Sequence, residues 1–220
     1  MRIDVNGIEL YYKLTGQGSP IILLHGNGED HTIFRILTKK LSTEYTVYAI
    51  DSRGHGRSSK VRHLSYMDKM NDVAEFIKEL GIQNPILYGF SDGGIIGLLL
   101  AIHHPELLDK LIISGANINP EGLKRFPLFL MKLVYFITRS SKMKLMLTEP
   151  DISTDELGTI VTPTLVLAGK RDIIKEEHTV QIAENIPGSE LKILKGENHA
   201  SYVINSEKIY DIIIEFLKEV

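Results

Sequence analysis

Cysteine is absent from the 220 residues of the chain, and its absence removes several classes of site. Without thiols there is no disulfide framework, no thiolate metal site and no cysteine nucleophile. A chain without cysteine also suits a reducing compartment, so we expect a cytoplasmic protein. The length fits one globular domain over residues 1–220, with little room for a second.

The sequence also lacks an excess of one charge and a long apolar run. Its 25 basic and 28 acidic residues give a formal charge of −3. A nucleic-acid partner is therefore not expected, because phosphate binding needs a dense basic patch. The N-terminus carries charges where a signal peptide needs an apolar core, and the longest uncharged apolar run, Ile95–Ile102, is too short to span a bilayer. We expect no stable membrane insertion, whereas a homo-oligomer stays open.

What the sequence does contain is an alternation of short apolar segments with longer helical patterns. The turn Asn6-Gly7 predicts an antiparallel hairpin between Arg2–Val5 and Ile8–Leu14. Strands buried on both faces are predicted at Ile21–Leu24, Thr46–Ile50, Pro85–Tyr88, Lys110–Ser114 and Thr164–Ala168, and one further strand is predicted at Leu191–Leu194. Helical spacing occurs at Thr32–Leu41, Tyr66–Leu80, Gly93–His104, Glu176–Asn185 and Glu207–Lys218. This order predicts an α/β fold with a mostly parallel twisted sheet, helices on both faces, and ligands at the carboxyl ends of the strands.

The alternation is interrupted between residues 116 and 160, which we interpret as a short lid or cap within the single domain. Inside it, Leu128–Ile137 is apolar almost all round and is surrounded by basic residues. One interpretation is a small helical lid whose apolar face covers an active site, and a second is an amphipathic helix packed over the edge of the sheet. A third is a helix lying on a membrane surface, because basic flanks with Leu and Phe are also typical of such helices.

The segment Gly89–Gly93, which reads Gly-Phe-Ser-Asp-Gly, follows one predicted strand and opens the next helix. A serine on so tight a turn adopts strained backbone angles, and side chains two residues before and after it would collide, so both positions favour glycine. The N-terminus of the following helix supplies N–H groups and a partial positive charge that favour a developing oxyanion. Ser91 is therefore the candidate nucleophile.

A serine nucleophile needs a base, and the base needs a third group to orient it. Asp172 lies just after the predicted strand Thr164–Ala168, and His199 lies after the strand Leu191–Leu194. Both positions belong to the same carboxyl edge of the sheet as Ser91, and the order Ser, Asp, His along the chain is known for catalytic triads. Ser91, Asp172 and His199 are the candidate catalytic residues.

An oxyanion hole is predicted from two backbone N–H groups. Asp92 directly follows the nucleophile, and Asn27 lies on the loop after the strand Ile21–Leu24 at the same edge. His25, at the end of that strand, is interpreted as a structural residue whose ring fixes the loop.

The segment after the strand Thr46–Ile50 contains Gly54-x-Gly56, which could suggest a dinucleotide site. It lacks the third glycine and the acidic residue of that motif, so no dinucleotide cofactor is predicted. We interpret this segment as a packed turn braced by Asp51 and Arg57.

The remaining histidines do not predict a metal site. His103 and His104 are adjacent, so they point to different helix faces, and no carboxylate is spaced to join them. The others are interpreted as plain surface residues: His31, His63 and His178.

Together these motifs resemble the α/β-hydrolase superfamily over nearly the whole chain. The resemblance rests on His25-Gly26-x-Gly28, the turn from Asp51 to Ser58, the serine turn at residues 89–93, and the strand that leads from Pro163 to Asp172. Residues 89–94 and 114–117 look most like the branch of biphenyl-hydrolase-like esterases and valacyclovirase. The stretch where such relatives carry a multi-helix cap is short here. Because the turn holds a serine and not an aspartate, haloalkane dehalogenases and epoxide hydrolases are poor models.

We therefore expect a serine hydrolase that cleaves carboxylic esters of small molecules through an acyl-enzyme, without a cofactor or a metal. The alternatives are a cofactor-free perhydrolase or acyltransferase, a carbon–carbon bond hydrolase, and a non-catalytic ligand-binding receptor on the same fold. A further hypothesis concerns Asp92. If its carboxylate points into the pocket, it would attract ammonium groups, as the resemblance to amino-acid-ester hydrolases suggests.

Overall fold

The strands form a single sheet in the computed structural model, which describes residues 1–218. They are Arg2–Val5 (β1), Ile8–Thr15 (β2), Ser19–Leu24 (β3), Tyr45–Asp51 (β4), Ile86–Phe90 (β5), Leu111–Ser114 (β6), Thr164–Arg171 (β7) and Glu190–Asn198 (β8). Their order across the sheet is β1-β2-β4-β3-β5-β6-β7-β8. β2 is antiparallel to β1 and β4, whereas the pairings among β3 to β8 are parallel. The predicted hairpin and fold class are confirmed.

Eight α-helices accompany the sheet in the described residues. They are Arg35–Leu41 (α1), Tyr66–Glu79 (α2), Asp92–His103 (α3), Arg125–Thr138 (α4), Ser141–Thr148 (α5), Thr154–Leu157 (α6), Glu176–Asn185 (α7) and Tyr210–Lys218 (α8). The first predicted helix is shorter than expected, because residues 31–34 form a 3-10 turn before α1. The last begins at Tyr210 and not at Glu207.

The core forms two layers, one on each face of the sheet. Side chains alternate along each strand, so Ile22 and Leu24 of β3 belong to one layer while Ile21 and Leu23 belong to the other. Helices α2, α3, α6 and α7 contribute to the first layer, and α1 and α8 contribute to the second. Helices on both faces leave the carboxyl edge of the parallel strands as the place for a site.

The segment from 116 to 160 carries helices α4, α5 and α6. Its two ends are buried through residues such as Ile118 and Ile160, but α4 has no buried residue. The apolar residues of α4 mostly face solvent, so they do not cover the carboxyl edge of the sheet as the first of the three interpretations of this segment required. Within residues 1–218, no helix is both long and apolar enough to cross a bilayer.

Two of the histidines interpreted as surface residues are not on the surface. His178 is buried, and its Nε2 accepts the N–H of Ile118 at 3.1 Å, which ties α7 to the start of the 116–160 segment. His31 is half-buried, with Nδ1 2.7 Å from Oδ1 of Asp51. His63 is exposed, as expected. Sequence spacing could not reveal the first two, because their partners lie 60 and 20 residues away.

The turn after β4 is braced by Asp51, although not by the guanidinium of Arg57. The Oδ2 atom of Asp51 accepts the backbone N–H of Arg57 at 2.8 Å, and the guanidinium lies over the ring of Tyr11. Gly56 has φ +46°, and a Cβ there would lie 2.0 Å from Oδ2 of Asp51. The carboxylate therefore occupies the space that only a glycine leaves.

Candidate active site

Four parallel strands end at one edge of the sheet, and each is followed by a residue that the sequence analysis singled out. β3 leads into the loop with Asn27, β5 into Ser91, β7 into Asp172 and β8 into His199. Because β3, β5, β6, β7 and β8 are parallel neighbours, these four loops converge. The topology alone therefore brings residues up to 172 positions apart in the chain to one place.

Ser91 occupies a strained turn between β5 and α3. Its backbone has φ +52° and ψ −113°, a region that residues with a side chain rarely adopt. The turn is so tight that a Cβ at Gly89 would lie 2.2 Å from the carbonyl oxygen of Gly93, and a Cβ at Gly93 would lie 2.1 Å from that of Leu24. Both glycines are thus required by contacts of the backbone, as the motif predicts.

The hydroxyl of Ser91 faces a histidine and a buried carboxylate. Oγ of Ser91 lies 3.2 Å from Nε2 of His199, and Nδ1 of His199 lies 2.6 Å from Oδ1 of Asp172. An ionised carboxylate can only accept a hydrogen bond, so Nδ1 carries the proton and Nε2 presents its lone pair to the serine hydroxyl. The structure brings the three predicted residues together in a line.

The carboxylate is held by its own loop. Asp172 is buried, and its Oδ1 also accepts the N–H of Ile174 at 3.0 Å. His199 packs against the ring of Phe90 and over Gly115, where a Cβ would lie 2.8 Å from Cε1 of the imidazole. The glycine at 115 therefore leaves the room that the histidine ring needs.

One of the two predicted donors, Asp92, directly follows the nucleophile, and the other, Asn27, is on the loop whose Gly26 lies close to Ser91. Asp92 is the first residue of α3, and among the described residues neither its N–H nor that of Asn27 donates a hydrogen bond to a protein acceptor. The loop that carries Asn27 is fixed by Glu29, whose Oε2 accepts the N–H of Gly26 at 2.9 Å. Burial raises the pKa of the Glu29 carboxyl. The arrangement leaves two amides available to an oxyanion.

His25 is a structural residue, as interpreted from its place at the end of β3. Its ring is buried, Nδ1 lies 2.7 Å from the carbonyl oxygen of Gly26, and Nε2 accepts the N–H of Ser52 at 3.0 Å. Burial lowers the pKa of His25 to about 4, so the ring stays neutral at pH 7 and can accept and donate at once. It thereby joins the loop after β3 to the loop after β4.

The side chain of Asp92 does not offer a free carboxylate to a ligand. Its Oδ2 is 2.8 Å from Nζ of Lys69, and its Oδ1 accepts the hydroxyl of Tyr66 at 2.7 Å. Lys69 and Asp92 are both buried, with side chains 1% and 3% exposed. Because the negative charge is neutralised inside the protein, the geometry argues against the hypothesis that Asp92 attracts an ammonium group.

Part of the 116–160 segment lies directly against Ser91. A cavity of about 10 Å³ beside the serine is lined in part by Met146 of α5 and Glu149, and Nδ2 of Asn27 donates to the carbonyl oxygen of Lys142 at 3.1 Å. A cavity of this volume is at the lower limit for holding a single water molecule, which is about 10–15 Å³. Among the residues that line this space, Met146 belongs to α5 and none belongs to the longer α4.

One group in the described residues has the geometry of a metal site, and its atoms are already engaged. Ligand atoms of Asp30, His31 and Asp51 lie within 4.8 Å of one another. Oδ1 of Asp51 accepts the backbone N–H of His31, and Oδ1 of Asp30 accepts the N–H of Thr32. These bonds explain the cluster as local bracing of the turn before α1.

Comparison with known proteins identifies the family of the chain. A family model described as "alpha/beta hydrolase fold" matches residues 19–142, which is more than half of the chain. The chain belongs to the alpha/beta hydrolase family. The resemblance deduced from the motifs is thereby confirmed.

Among curated relatives of this hydrolase, the human serine hydrolase BPHL is 26% identical over 251 residues that cover 99% of this chain and 86% of the relative. The pimeloyl-[acyl-carrier protein] methyl ester esterase of Vibrio cholerae is 24% identical and covers 94% of this chain and 97% of its own. A solved meta-cleavage product hydrolase from Pseudomonas fluorescens superposes with a TM-score of 0.83 at 19% identity, covering 100% and 97% of the two chains. The last of these shows a shared fold alone.

Three residues near the site of this hydrolase were not predicted from the sequence. They are Lys69, Tyr66 and Glu29, which hold Asp92 and the loop after β3. A signal for Lys69 was present, since it lies one turn from Tyr66 and Val73 on the stripe by which α2 packs against the sheet. A lysine on such a stripe must find a buried partner, because an unpaired buried charge is costly.

Proposed function

We propose that this hydrolase cleaves carboxylic esters of small molecules with Ser91 as nucleophile, His199 as general base and Asp172 as the group that orients the base. The single observation that supports the proposal most is the continuous line from Oγ of Ser91 through the imidazole to the buried carboxylate, with distances of 3.2 and 2.6 Å. The esterase relatives support the same class of reaction. Carbon–carbon bond hydrolysis is the competing reaction, and its support is a fold neighbour only.

In the proposed mechanism, Nε2 of His199 takes the proton of Ser91 as Oγ attacks the acyl carbon of the ester. The carbonyl oxygen becomes an oxyanion that accepts hydrogen bonds from the N–H groups of Asn27 and Asp92. His199 then gives its proton to the leaving alkoxide, which departs as an alcohol and leaves an acyl-enzyme. A water deprotonated by His199 attacks this ester and releases the acid, restoring the hydroxyl of Ser91.

We also propose that residues 116–160 act as a lid in which α5 is the moving part. The space beside Ser91 is about 10 Å³, so a substrate requires displacement of the side chains around Met146. The hydrogen bond from Nδ2 of Asn27 to the carbonyl oxygen of Lys142 links α5 to the loop after β3. Movement of α5 would therefore break a hydrogen bond of Asn27, which is one of the two predicted oxyanion donors. Small acyl groups are expected to react faster than long ones.

The test is active-site labelling with a small fluorophosphonate, followed by intact mass and peptide mapping. We expect one adduct on Ser91 in the wild type and none in Ser91→Ala or His199→Ala, because a serine hydroxyl reacts only when a base removes its proton. The kcat/KM for p-nitrophenyl acetate should fall about a thousandfold or more in both variants. Ser19→Ala, at an exposed serine remote from the site, is the matched control and should behave as wild type.

The same experiment separates the competing functions. No adduct on folded wild-type protein would contradict the proposal and favour a ligand-binding receptor. Labelling without hydrolysis of any p-nitrophenyl ester from acetate to octanoate, together with turnover of a vinylogous diketone, would favour carbon–carbon bond hydrolysis. Transfer of the acyl group to added peroxide or alcohol in preference to water would favour a perhydrolase or an acyltransferase.

A further inference from the structure

Helix α4 presents a continuous apolar face to solvent. Seven large apolar residues lie within an arc of about 160° around the helix axis, given 3.6 residues per turn. They are Phe126, Phe129, Leu130, Leu133, Val134, Phe136 and Ile137. Four of them, Phe126, Phe129, Phe136 and Ile137, are 62–71% exposed. The opposite side, with Leu128 and Tyr135, is half-buried against the protein, so this outward face is not the one by which α4 packs.

The charges within the segment that carries this face have one sign. Residues 124–148 contain six basic side chains and no acidic one, although the net charge of the whole chain is −3. Arg125 and Lys132 are exposed along one border of the apolar arc, and Arg139 is exposed directly after the helix. Arg139 also lines a groove beyond this end of α4 together with Arg62, His63, Lys144 and one carboxylate, Glu149, whose Oε2 accepts the N–H of Tyr66. An apolar face within a basic surround complements an interface with anionic headgroups.

A second copy of the chain fits this surface less well. Two such faces packed against each other would bring two sets of basic residues together, and the segment 124–148 has no carboxylate to pair with them. An apolar face of this size on a monomer signals an interaction surface, since exposed apolar patches are normally small and scattered. The positive charge of the segment that carries this face then favours an anionic partner.

We propose that the outward face of α4 adsorbs reversibly to an anionic lipid surface, with its apolar side chains in the interface and the basic residues on the headgroups. The helix lies in the plane of the membrane in this arrangement and does not cross it. Adsorption of this kind needs no substrate, so it is independent of the proposed ester hydrolysis and of any movement of α5.

The test is co-sedimentation of the wild-type protein with large unilamellar vesicles of phosphatidylcholine alone or with 30% phosphatidylglycerol. We expect binding to the anionic vesicles, weaker binding to the neutral ones, and release when the salt concentration rises from about 0.05 to 0.5 M. Phe129→Ser with Phe136→Ser should lower the partition coefficient at least about tenfold, because two phenyl groups leave the interface. Arg125→Gln with Lys132→Gln should lower it about thirtyfold, at about 1 kcal/mol for each basic residue near the surface.

Two control variants have matched chemistry elsewhere on the molecule. Leu14→Ser with Val161→Ser removes two exposed apolar side chains, and Lys13→Gln with Lys195→Gln removes two exposed charges. Both should bind vesicles as the wild type does. The Tm should be unchanged in the α4 variants, because the altered side chains are exposed.

Three results would overturn the proposal. The first is absence of wild-type binding to vesicles of either composition. The second is an equal loss of binding in the controls and the α4 variants, which would mean a nonspecific surface effect. The third is a wild-type protein that does not bind vesicles but forms a dimer in sedimentation velocity, while the variant Phe129→Ser with Phe136→Ser is a monomer. That result would assign the face to a second copy of the chain.

Discussion

Helices α3 and α4 are both rich in large apolar residues, yet they lie in opposite environments. Every residue of α3 from Asp92 to Ala101 is buried, whereas no residue of α4 is. One cause of this difference in burial is the size of the side chains. Gly97 of α3 lets the helix approach the sheet so closely that a Cβ there would lie 2.8 Å from Leu111, while α4 has no glycine and carries three phenylalanines.

The comparison teaches that apolar content does not by itself decide burial. α3 lies between β5 and the helices of one core layer, with small residues where the backbones meet. Helix α4 packs against the rest of the protein only through its half-buried side, which carries Leu128 and Tyr135. Charge adds to the contrast, because Lys69, which packs next to α3, is paired and buried, while Arg125 and Lys132 of α4 are exposed.

Two lysines provide the sharpest test of this contrast. Lys69→Met should lower the free energy of unfolding by about 3–5 kcal/mol, because it leaves the buried carboxylate of Asp92 without its partner. Lys132→Met, in exposed α4, should change it by less than about 0.5 kcal/mol. Urea denaturation of both variants measures the difference.

The control for Lys69 is a double variant. Lys69→Met with Asp92→Asn removes both charges and should recover most of the lost stability, since no unpaired charge stays buried. If Lys69→Met alone were as stable as wild type, the buried pair would contribute no net stability and the contrast with Lys132 would disappear.

Two leucines test the packing part of the comparison. Leu98→Ala in α3 should destabilise the protein by about 3 kcal/mol, because Leu98 is fully buried and its removal leaves a cavity. Leu133→Ala in α4 should cost much less, about 0.5 kcal/mol, since Leu133 is 45% exposed. Thermal melts of the pair would contradict our description of α4 if the two losses were similar.

The parts of the fold that could be predicted are those with a local cause. The parallel strands are predictable because most of them are short apolar runs between turns, and the convergence of the candidate site residues is predictable because four of these strands lead into them. The turn at Ser91 was predictable for the same reason, since its glycines are demanded by contacts within a few residues of the chain and with Leu24.

The parts that escaped prediction depend on contacts between distant segments. The outward position of α4 could not be deduced, because an apolar helix in the sequence gives no indication of which neighbour will cover it. His178 was assigned to the surface, yet it is buried against Ile118. The role of Lys69 depends on Asp92, 23 residues later, and the sequence shows only that a charge lies on an apolar stripe.

The smallest of the predicted effects is a loss of stability at acid pH. Burial holds the pKa of His25 at about 4, whereas the same side chain in the unfolded chain titrates near 6.5. Between these values the unfolded state binds more protons, so the stability contributed by His25 is present above pH 6.5 and is lost as the pH falls toward 4. At pH 5 the loss should be about 2 kcal/mol.

The dependence of stability on pH therefore also differs between the regions around α3 and α4. The site next to α3 contains His25 and also His55, whose pKa burial lowers to about 3, whereas α4 contains no histidine. The free energy of unfolding between pH 7.5 and 5 should depend less steeply on pH in His25→Gln than in wild type, even if His25→Gln is less stable throughout. His63→Gln, at an exposed histidine, should keep the wild-type slope. An unchanged slope in His25→Gln would mean that the buried ring is protonated as readily in the folded as in the unfolded chain.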